Sequence, residues 1–259
     1  MNSRVPCLTV EDVTVRYGPV VAVNGVSFSV EDKALTGLIG PNGAGKTTMI
    51  DAVAGFTAYS GMISLHGRAL EGLKPHDRAR LGLSRTFQSG ELFDDLTVLE
   101  NLMVAGARGG LWPGMREILG SSGRKGRARA VGLADRLGVA QFGDVSVKQL
   151  SVGQRQMVSV ARAMATAPAL LLLDEPAAGL DSTESAQLGR FLRSLVEEHP
   201  ISILLVDHDM QLILDFCEEI HVMDFGVHIS DGPPAAVRRD PRVIEAYLGT
   251  DPASPESVS

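Results

Sequence analysis

The sequence predicts an α/β protein in which a mostly parallel sheet is flanked by helices. After Ala167, the apolar strands "ALLLLDE", "ISILLVD" and "EIHVMDFG" are separated by predicted helices over 182–199 and 210–217. Such alternation is typical of crossover units joining parallel strands. A further apolar strand, Ala34–Gly40, is followed by a glycine-rich turn and a predicted helix over Lys46–Gly55. These two patterns together indicate the fold class.

The first third of the chain also carries antiparallel strand patterns. "LTVEDVTVRY" and "VVAVNGVSFSV" alternate apolar and polar residues on either side of a Gly18–Pro19 turn, and "SGMISLHGRAL" (Ser60–Leu70) indicates a second hairpin. From Leu92 to about Ala167 the pattern is mostly helical, with predicted helices over 127–138 and 154–166. We expect one domain over residues 1–250.

Three further local features of the sequence predict a helix start, an irregular connection and a disordered tail. Thr97 and Glu100 form a capping box before "NLMVAG". The Gly-rich, basic stretch over 105–129 predicts an irregular connection, and its Arg124–Arg129 charges indicate a solvated face, with a functional basic patch as the alternative. The Pro/Ser-rich tail over 251–259 predicts disorder.

Composition limits the classes of function. The 259 residues are 44% hydrophobic and carry a net charge of −7, and an acidic balance argues against nucleic acid as a partner. Cys7 and Cys217 match no metal-binding spacing and are expected to be reduced thiols. No apolar run approaches the roughly 20 residues that a membrane-spanning helix needs.

The strongest chemical signal is "GPNGAGKTT", Gly40–Thr48, which matches the G-x-x-x-x-G-K-[ST] phosphate loop between a predicted strand and a predicted helix. Glycines let successive backbone N–H groups face the phosphates of a nucleotide. Lys46 then reaches the outer phosphates, and the Thr47 hydroxyl is a ligand for Mg²⁺. The residues predicted to bind the phosphates of a nucleotide cofactor here are Gly40, Pro41, Asn42, Gly43, Ala44, Gly45, Lys46, Thr47 and Thr48.

A second signal is "LLLLDEP", Leu170–Pro176, an apolar strand that ends in two acids. Adjacent strand residues point to opposite faces, so Asp174 and Glu175 are suited to different tasks. Asp174 is a candidate magnesium ligand, and Glu175 is a candidate base for an attacking water. An isolated acidic strand end is equally typical of a solvated boundary, and the phosphate loop favours the functional interpretation.

The sequence alone leaves two alternative roles open for each of three further polar or aromatic residues. His208 follows the strand "ISILLVD" and is either a γ-phosphate contact or a structural hydrogen-bonding group. Gln88 ends the strand "LSRTFQ" and is either a magnesium ligand or an ordinary strand end. Tyr17 is suited to stack on an adenine or to pack within the hairpin.

The stretch "LSVGQRQ", Leu150–Gln156, begins a predicted helix. Ser151 and Gln154 have the spacing of a capping box. Gly153 lies in the first turn, where glycine costs about 1 kcal/mol relative to alanine. We therefore expect another group to approach the backbone closely at this glycine.

Six motifs occur in the order found in the ATP-binding subunits of ABC transporters, which the chain resembles from Cys7 to Thr250: "GPNGAGKTT", "RTFQ", "LSVGQRQ", "LLLLDEP", "AAGLD" and "VDHD". This resemblance implies a P-loop NTPase core of mostly parallel sheet flanked by helices, with an antiparallel β subdomain and a helical subdomain over about 89–167. It also implies that two such subunits dimerise around two ATP molecules.

The resemblance assigns roles by motif. The implied catalytic residues are Lys46, Gln88, Glu175 and His208, and the implied magnesium ligands are Thr47, Gln88 and Asp174. Tyr17 would stack on adenine, Asp181 would belong to a loop linking the two sites, and Ser151, Gly153 and Gln154 would contact the γ-phosphate held by the opposite subunit. Val152 departs from the common L-S-G-G-Q signature and requires helical or extended backbone.

Within the family, "SRTFQ", "LFDDLTVLENLMVAG", "DEPAAGLDSTE" and "EAYLGT" are most similar to the ATPases of branched-chain amino-acid importers. That resemblance implies an ATPase bound to membrane permease subunits at the cytoplasmic face, with a solute-binding protein as an indirect partner. ATPases of urea or amide importers and of lipopolysaccharide export are the alternatives, and a non-transport ABC protein is a remote one. Leu92, Phe93, Leu99 and Met103 either touch the permeases or pack the helical subdomain.

Overall fold

A computed structural model describes residues 6–86, 92–106 and 123–248 of the chain. The strands are β1 Pro6–Tyr17, β2 Val20–Glu31, β3 Leu35–Ile39, β4 Ser60–Leu65, β5 Arg68–Ala69, β6 Leu83–Thr86, β7 Leu170–Asp174, β8 Ser202–Val206, β9 Glu219–Asp224 and β10 Val227–Gly232. The helices are α1 Lys46–Ala54, α2 Pro75–Arg80, α3 Val98–Gly106, α4 Gly123–Arg136, α5 Val152–Met164, α6 Ser182–Glu198, α7 Met210–Phe216, α8 Pro234–Val237 and α9 Pro241–Leu248.

The described strands form two sheets. An antiparallel sheet has the order β2-β1-β4-β5 and contains both predicted hairpins. The larger sheet has the order β10-β9-β3-β8-β7-β6, in which all neighbours are parallel except β10 and β9. Every residue of β3, β7 and β8 is buried, as their continuous apolar runs predict. The predicted fold class is confirmed.

The order of the larger sheet places the chemical motifs side by side. Strand β8 pairs with β3 on one side and with β7 on the other, and Asp174 lies opposite Val206 in the register. The segments that follow these three strands therefore leave the same edge of the sheet. They are the phosphate loop, the Asp174–Glu175 pair and the Asp207–His208 pair. Ligands bind at this carboxyl edge in open parallel sheets.

Helices α3, α4 and α5 pack together beside the larger sheet. Leu92, Leu99 and Met103 are buried in their shared core, which supports the packing role for these three. Phe93 is half-buried beneath the Arg162 guanidinium, 5.2 Å from its ring centroid. The boundaries of a helical subdomain at 89–167 stay a prediction.

Most predicted elements end within a few residues of the observed ones. The helix predicted over 127–138 is the least accurate, because it begins at Gly123 and ends at Arg136. Within the described ranges, no helix is both long and apolar enough to cross a bilayer. Arg124, Lys125, Arg127 and Arg129 are all exposed, in agreement with a solvated face. The rest of the stretch over 107–122 and the tail lie outside the described residues.

Candidate nucleotide-binding site

The phosphate loop has the backbone that its glycines predict. Gly40, Gly43 and Gly45 have φ of 152°, 83° and 96°. A Cβ on Gly40 would lie 2.0 Å from the Met223 carbonyl oxygen, so the loop can approach β9 only with glycine at that position. Helix α1 begins at Lys46, and its N-cap residue, Gly45, has no side chain that could accept a hydrogen bond from the helix start. The first backbone N–H groups of α1 are therefore available to donate to an anion bound at the loop.

The Lys46 side chain is folded back over the loop. Its ammonium group donates to the carbonyl oxygens of Gly40 at 2.8 Å and Pro41 at 3.0 Å. Burial lowers the pKa of Lys46, while the nearby carboxylates of Glu175 and Asp174 oppose that shift. An anion beside this ammonium would likewise favour its charged form.

A cleft of about 400 Å³ lies over the loop and brings most of the predicted phosphate-loop residues together with Glu175. Its lining residues are Val20, Val21, Ala22, Asn42, Gly43, Gly45, Lys46, Thr47, Thr48, Glu175 and Phe225. Gly40, Pro41 and Ala44 of the loop are buried and do not line the cleft. Tyr17 is half-exposed and pairs with Val20 at the rim of the cleft, outside its lining.

The two carboxylates at the end of β7 have different surroundings, as their alternation predicts. Asp174 is buried, and its Oδ2 accepts a hydrogen bond from Arg85 at 3.0 Å. Its Oδ1 is buried without a hydrogen-bond partner among the described residues. Burial raises the pKa of Asp174, and the Arg85 guanidinium opposes this. Glu175 lines the cleft and has φ of 50°, in the left-handed region. Such strain occurs often at functional sites.

Arg85 is a site residue that sequence reasoning missed. Its guanidinium forms an ion pair with Asp174 and a second one with Asp51 of α1. Arg85 therefore connects the end of β7 to the helix that begins with the phosphate-loop lysine. The only signal in the sequence is its place in "SRTFQ", three residues before Gln88. Gln88 itself lies outside the described residues.

His208 follows β8 at the predicted edge, with 63% of its side chain exposed, and it does not line the cleft. Its Nδ1 lies 3.7 Å from Asp207 Oδ1. Asp207 is fully buried and accepts hydrogen bonds from the backbone N–H groups of Ala177 and Asp209, both at 2.9 Å. Burial raises the pKa of Asp207 despite these donors. Asp207, which sequence reasoning missed, therefore holds the segments after Glu175 and around His208 together.

The signature helix α5 has the predicted capping box. Ser151 Oγ accepts from the Gln154 N–H, and the Gln154 side chain accepts from the Ser151 N–H. Val152 is the first residue of α5, so its backbone is helical, which is one of the two conformations expected for it, and its side chain is half-exposed. The group that approaches Gly153 is the side chain of Glu184, whose Oε1 accepts a 3.4 Å hydrogen bond from the Gly153 N–H.

Asp181 is the N-cap of α6, and its carboxylate accepts the N–H groups of Thr183 and Glu184 at 2.8 Å. Two aromatic residues were also missed from the sequence. Phe225 is 84% exposed in the turn between β9 and β10 and lines the cleft. Tyr247 of α9 is hydrogen-bonded to the backbone of Gly40, and burial raises its pKa to about 12.

A phosphate loop at a helix N-terminus, a strained glutamate in the same cleft and a sheet of this topology define a P-loop nucleotide-binding protein. Comparison with known proteins gives the family. Residues 23–178 match the family model described as ABC transporter, and residues 228–253 match that of the branched-chain amino acid ATP-binding cassette transporter. The chain therefore belongs to the ATP-binding subunits of ABC transporters and is an ATPase.

Individual relatives agree with this assignment. The chain is 39% identical to the high-affinity branched-chain amino acid transport ATP-binding protein BraF of Pseudomonas aeruginosa, over 94% of this chain and 98% of that protein. Identity to LivG of Escherichia coli K12 is 37%, with the same shares covered. The lipopolysaccharide export ATP-binding protein LptB of Haemophilus influenzae is 34% identical, over 93% of this chain and 97% of that protein.

Solved structures show the same fold. A crystal structure of the ADP conformation of MJ1267, an ATP-binding cassette of an ABC transporter, has a TM-score of 0.83 at 27% identity, over 94% of this chain and 99% of that one. A dimeric post-hydrolysis structure of the cassette MJ0796, bound to ADP and Pi, has a TM-score of 0.70 at 25% identity, over 88% and 98%.

Proposed function

We propose that this chain is the ATP-hydrolysing subunit of an ABC importer that takes up branched-chain or closely related amino acids. The observation that carries the proposal is the convergence of Lys46, Thr47 and Glu175 in one cleft above the phosphate loop. The substrate class rests on the 37–39% identity to BraF and LivG. The lower identity to LptB and the match of residues 228–253 favour this class over lipopolysaccharide export.

ATP binding begins with the loop. Its phosphates accept the N–H groups at the start of α1, and the Lys46 ammonium leaves the Gly40 and Pro41 carbonyls for the β- and γ-phosphates. The adenine lies toward the rim, where Tyr17 is offered for stacking and the exposed Phe225 ring provides a second aromatic surface. Asn42, Gly43 and Thr48 complete the wall around the phosphates.

The donor set fits Mg²⁺, which is a hard cation that prefers oxygen ligands. Thr47 is exposed and lines the cleft, and Asp174 Oδ1 is buried without a hydrogen-bond partner in the described part of the chain. Thr47 and Asp174, directly or through water, would therefore hold the ion, with Gln88 as the third proposed ligand. When bound, Mg²⁺ neutralises charge that develops on the β- and γ-phosphates.

Hydrolysis needs a base and a γ-phosphate contact. We assign Glu175 as the general base that orients and deprotonates the attacking water, and His208 as the donor to the γ-phosphate. Asp207 positions both through the Ala177 N–H and the His208 loop. The signature residues Ser151, Gly153 and Gln154 and the loop at Asp181 complete the site across a dimer, whose second ATPase is either another copy or a related subunit.

The proposed partners are two membrane permeases at the cytoplasmic face, with a solute-binding protein acting indirectly. Purification of the native complex through a tag on this chain tests the assembly. We expect two permeases and an ATPase subunit to copurify. Recovery of ribosomal proteins or nucleic acid without permeases would overturn the proposal and favour the non-transport alternative.

A further inference from the structure

The signature helix start is already occupied by an acid of the same chain. The Ser151 hydroxyl donates to Glu184 Oε1 at 3.0 Å, and the Gly153 N–H donates to the same oxygen at 3.4 Å. Glu184 belongs to the first turn of α6, so this contact joins the starts of two helices through residues that are 31 positions apart in sequence. The positive end of the α5 dipole favours a carboxylate at this position.

The position of Glu184 also explains why residue 153 is a glycine. A Cβ on Gly153 would lie 3.1 Å from both Cδ and Oε1 of Glu184 and 3.2 Å from its Cβ. Any larger residue would therefore push the carboxylate away from the helix start. The buried Gly153 lets this internal anion reach the backbone, and the contacts of the carboxylate with the Ser151 hydroxyl and the Gly153 N–H oppose the helix-propensity cost of glycine.

The Glu184 carboxylate and a phosphate cannot both accept hydrogen bonds from the signature donors at the same time. A hydroxyl carries one proton and a backbone N–H carries one, and both are donated to Glu184. The Ser151 oxygen additionally accepts from the Gln154 N–H at 3.3 Å, which fixes its orientation. A phosphate oxygen, which only accepts, cannot take these two donors until the carboxylate releases them.

We propose that Glu184 holds the signature donors in the ATP-free subunit and competes with the γ-phosphate of the opposing subunit's ATP, so that it sets the ATP concentration at which the dimer closes. This inference rests on the proposed function, which assigns the signature to that γ-phosphate. Glu184 is a positioning residue, because it acts through Ser151 and Gly153. After release, its carboxylate stays in the first turn of α6, where the dipole of that helix stabilises it.

Glu184→Gln tests the competition, because it keeps the shape of the side chain and removes its charge. The assay is ATP hydrolysis by the complex purified through a tag on this chain, with ATP varied. Because the neutral amide oxygen is a weaker acceptor than the carboxylate, we expect a roughly tenfold lower ATP concentration at half-maximal rate, which corresponds to about 1.4 kcal/mol, with kcat changed less than about twofold. Glu184→Asp withdraws the carboxylate by one methylene and should shift the same concentration in the same direction.

Glu198→Gln is the matched control, since it makes the same charge change at the exposed far end of α6 and should leave the ATP requirement unchanged. An unchanged or increased ATP requirement in both Glu184 variants would overturn the inference and leave Glu184 as a structural contact. Failure of the wild-type complex to hydrolyse ATP would instead refute the proposed function. If Glu184→Gln does not fold, the Glu184→Asp result decides.

Discussion

Asp207 gives the sharpest test of how the site is held together. Its carboxylate is fully buried and accepts two backbone N–H groups, at Ala177 and Asp209. Asp207→Ala removes both acceptors and leaves two donors in a region with little access to water. Each unsatisfied buried donor costs about 1–3 kcal/mol, so we expect a loss of about 2–5 kcal/mol in the free energy of unfolding, since removing the buried charge recovers part of the cost.

The same change should reduce ATP turnover in the fraction that remains folded, because Ala177 lies two residues after Glu175 and His208 adjoins Asp207. Urea unfolding followed by circular dichroism measures the stability, and a phosphate-release assay measures the turnover. Asp215→Ala on α7 is the control: that aspartate is exposed, and its removal should change stability by less than about 0.5 kcal/mol. A loss below 1 kcal/mol in Asp207→Ala would refute the anchoring role.

Two further predictions concern buried charge. Arg85→Met leaves the Asp174 carboxylate without its cation, so the free energy of unfolding should fall by about 3 kcal/mol at pH 8. The loss should be smaller at pH 5, because the raised pKa of Asp174 makes the protonated folded form accessible as the pH falls; equal losses at both values would contradict this. Burial lowers the pKa of His221 from 6.5 to about 4, so acidification through this interval should cost the wild type up to about 3 kcal/mol. Since the folded form keeps this imidazole neutral, His221→Gln should lose less over the same interval, and identical pH profiles in urea unfolding would refute the assignment.

Local patterns in the sequence were sufficient for much of the fold and the site. The strand–loop–helix around Lys46, both capping boxes and the buried runs of β7 and β8 all follow from residues within a few positions of one another. Alternation along the chain further indicated parallel pairing. Lys46, Thr47 and Glu175, which share the cleft, were found because their motifs follow strands of the parallel sheet, whereas Phe225 of the same cleft was missed.

Contacts between distant segments could not be predicted in the same way. Glu184 reaches Gly153 across 31 positions, and Arg85 reaches Asp174 across 89. Each depends on how helices and strands pack, and no local periodicity records it. The glycine in the signature did predict a close approach to its backbone, but the approaching group in this chain is its own Glu184.

The central claim is that ATP bound over the phosphate loop drives uptake of branched-chain amino acids. The most direct measurement is uptake of radiolabelled leucine by cells in which the gene is deleted and then restored as wild type, Lys46→Ala or Glu175→Gln. The account predicts that deletion reduces uptake, that the wild type restores it and that neither variant does. Unchanged leucine uptake on deletion, or full restoration by Lys46→Ala, would contradict the account.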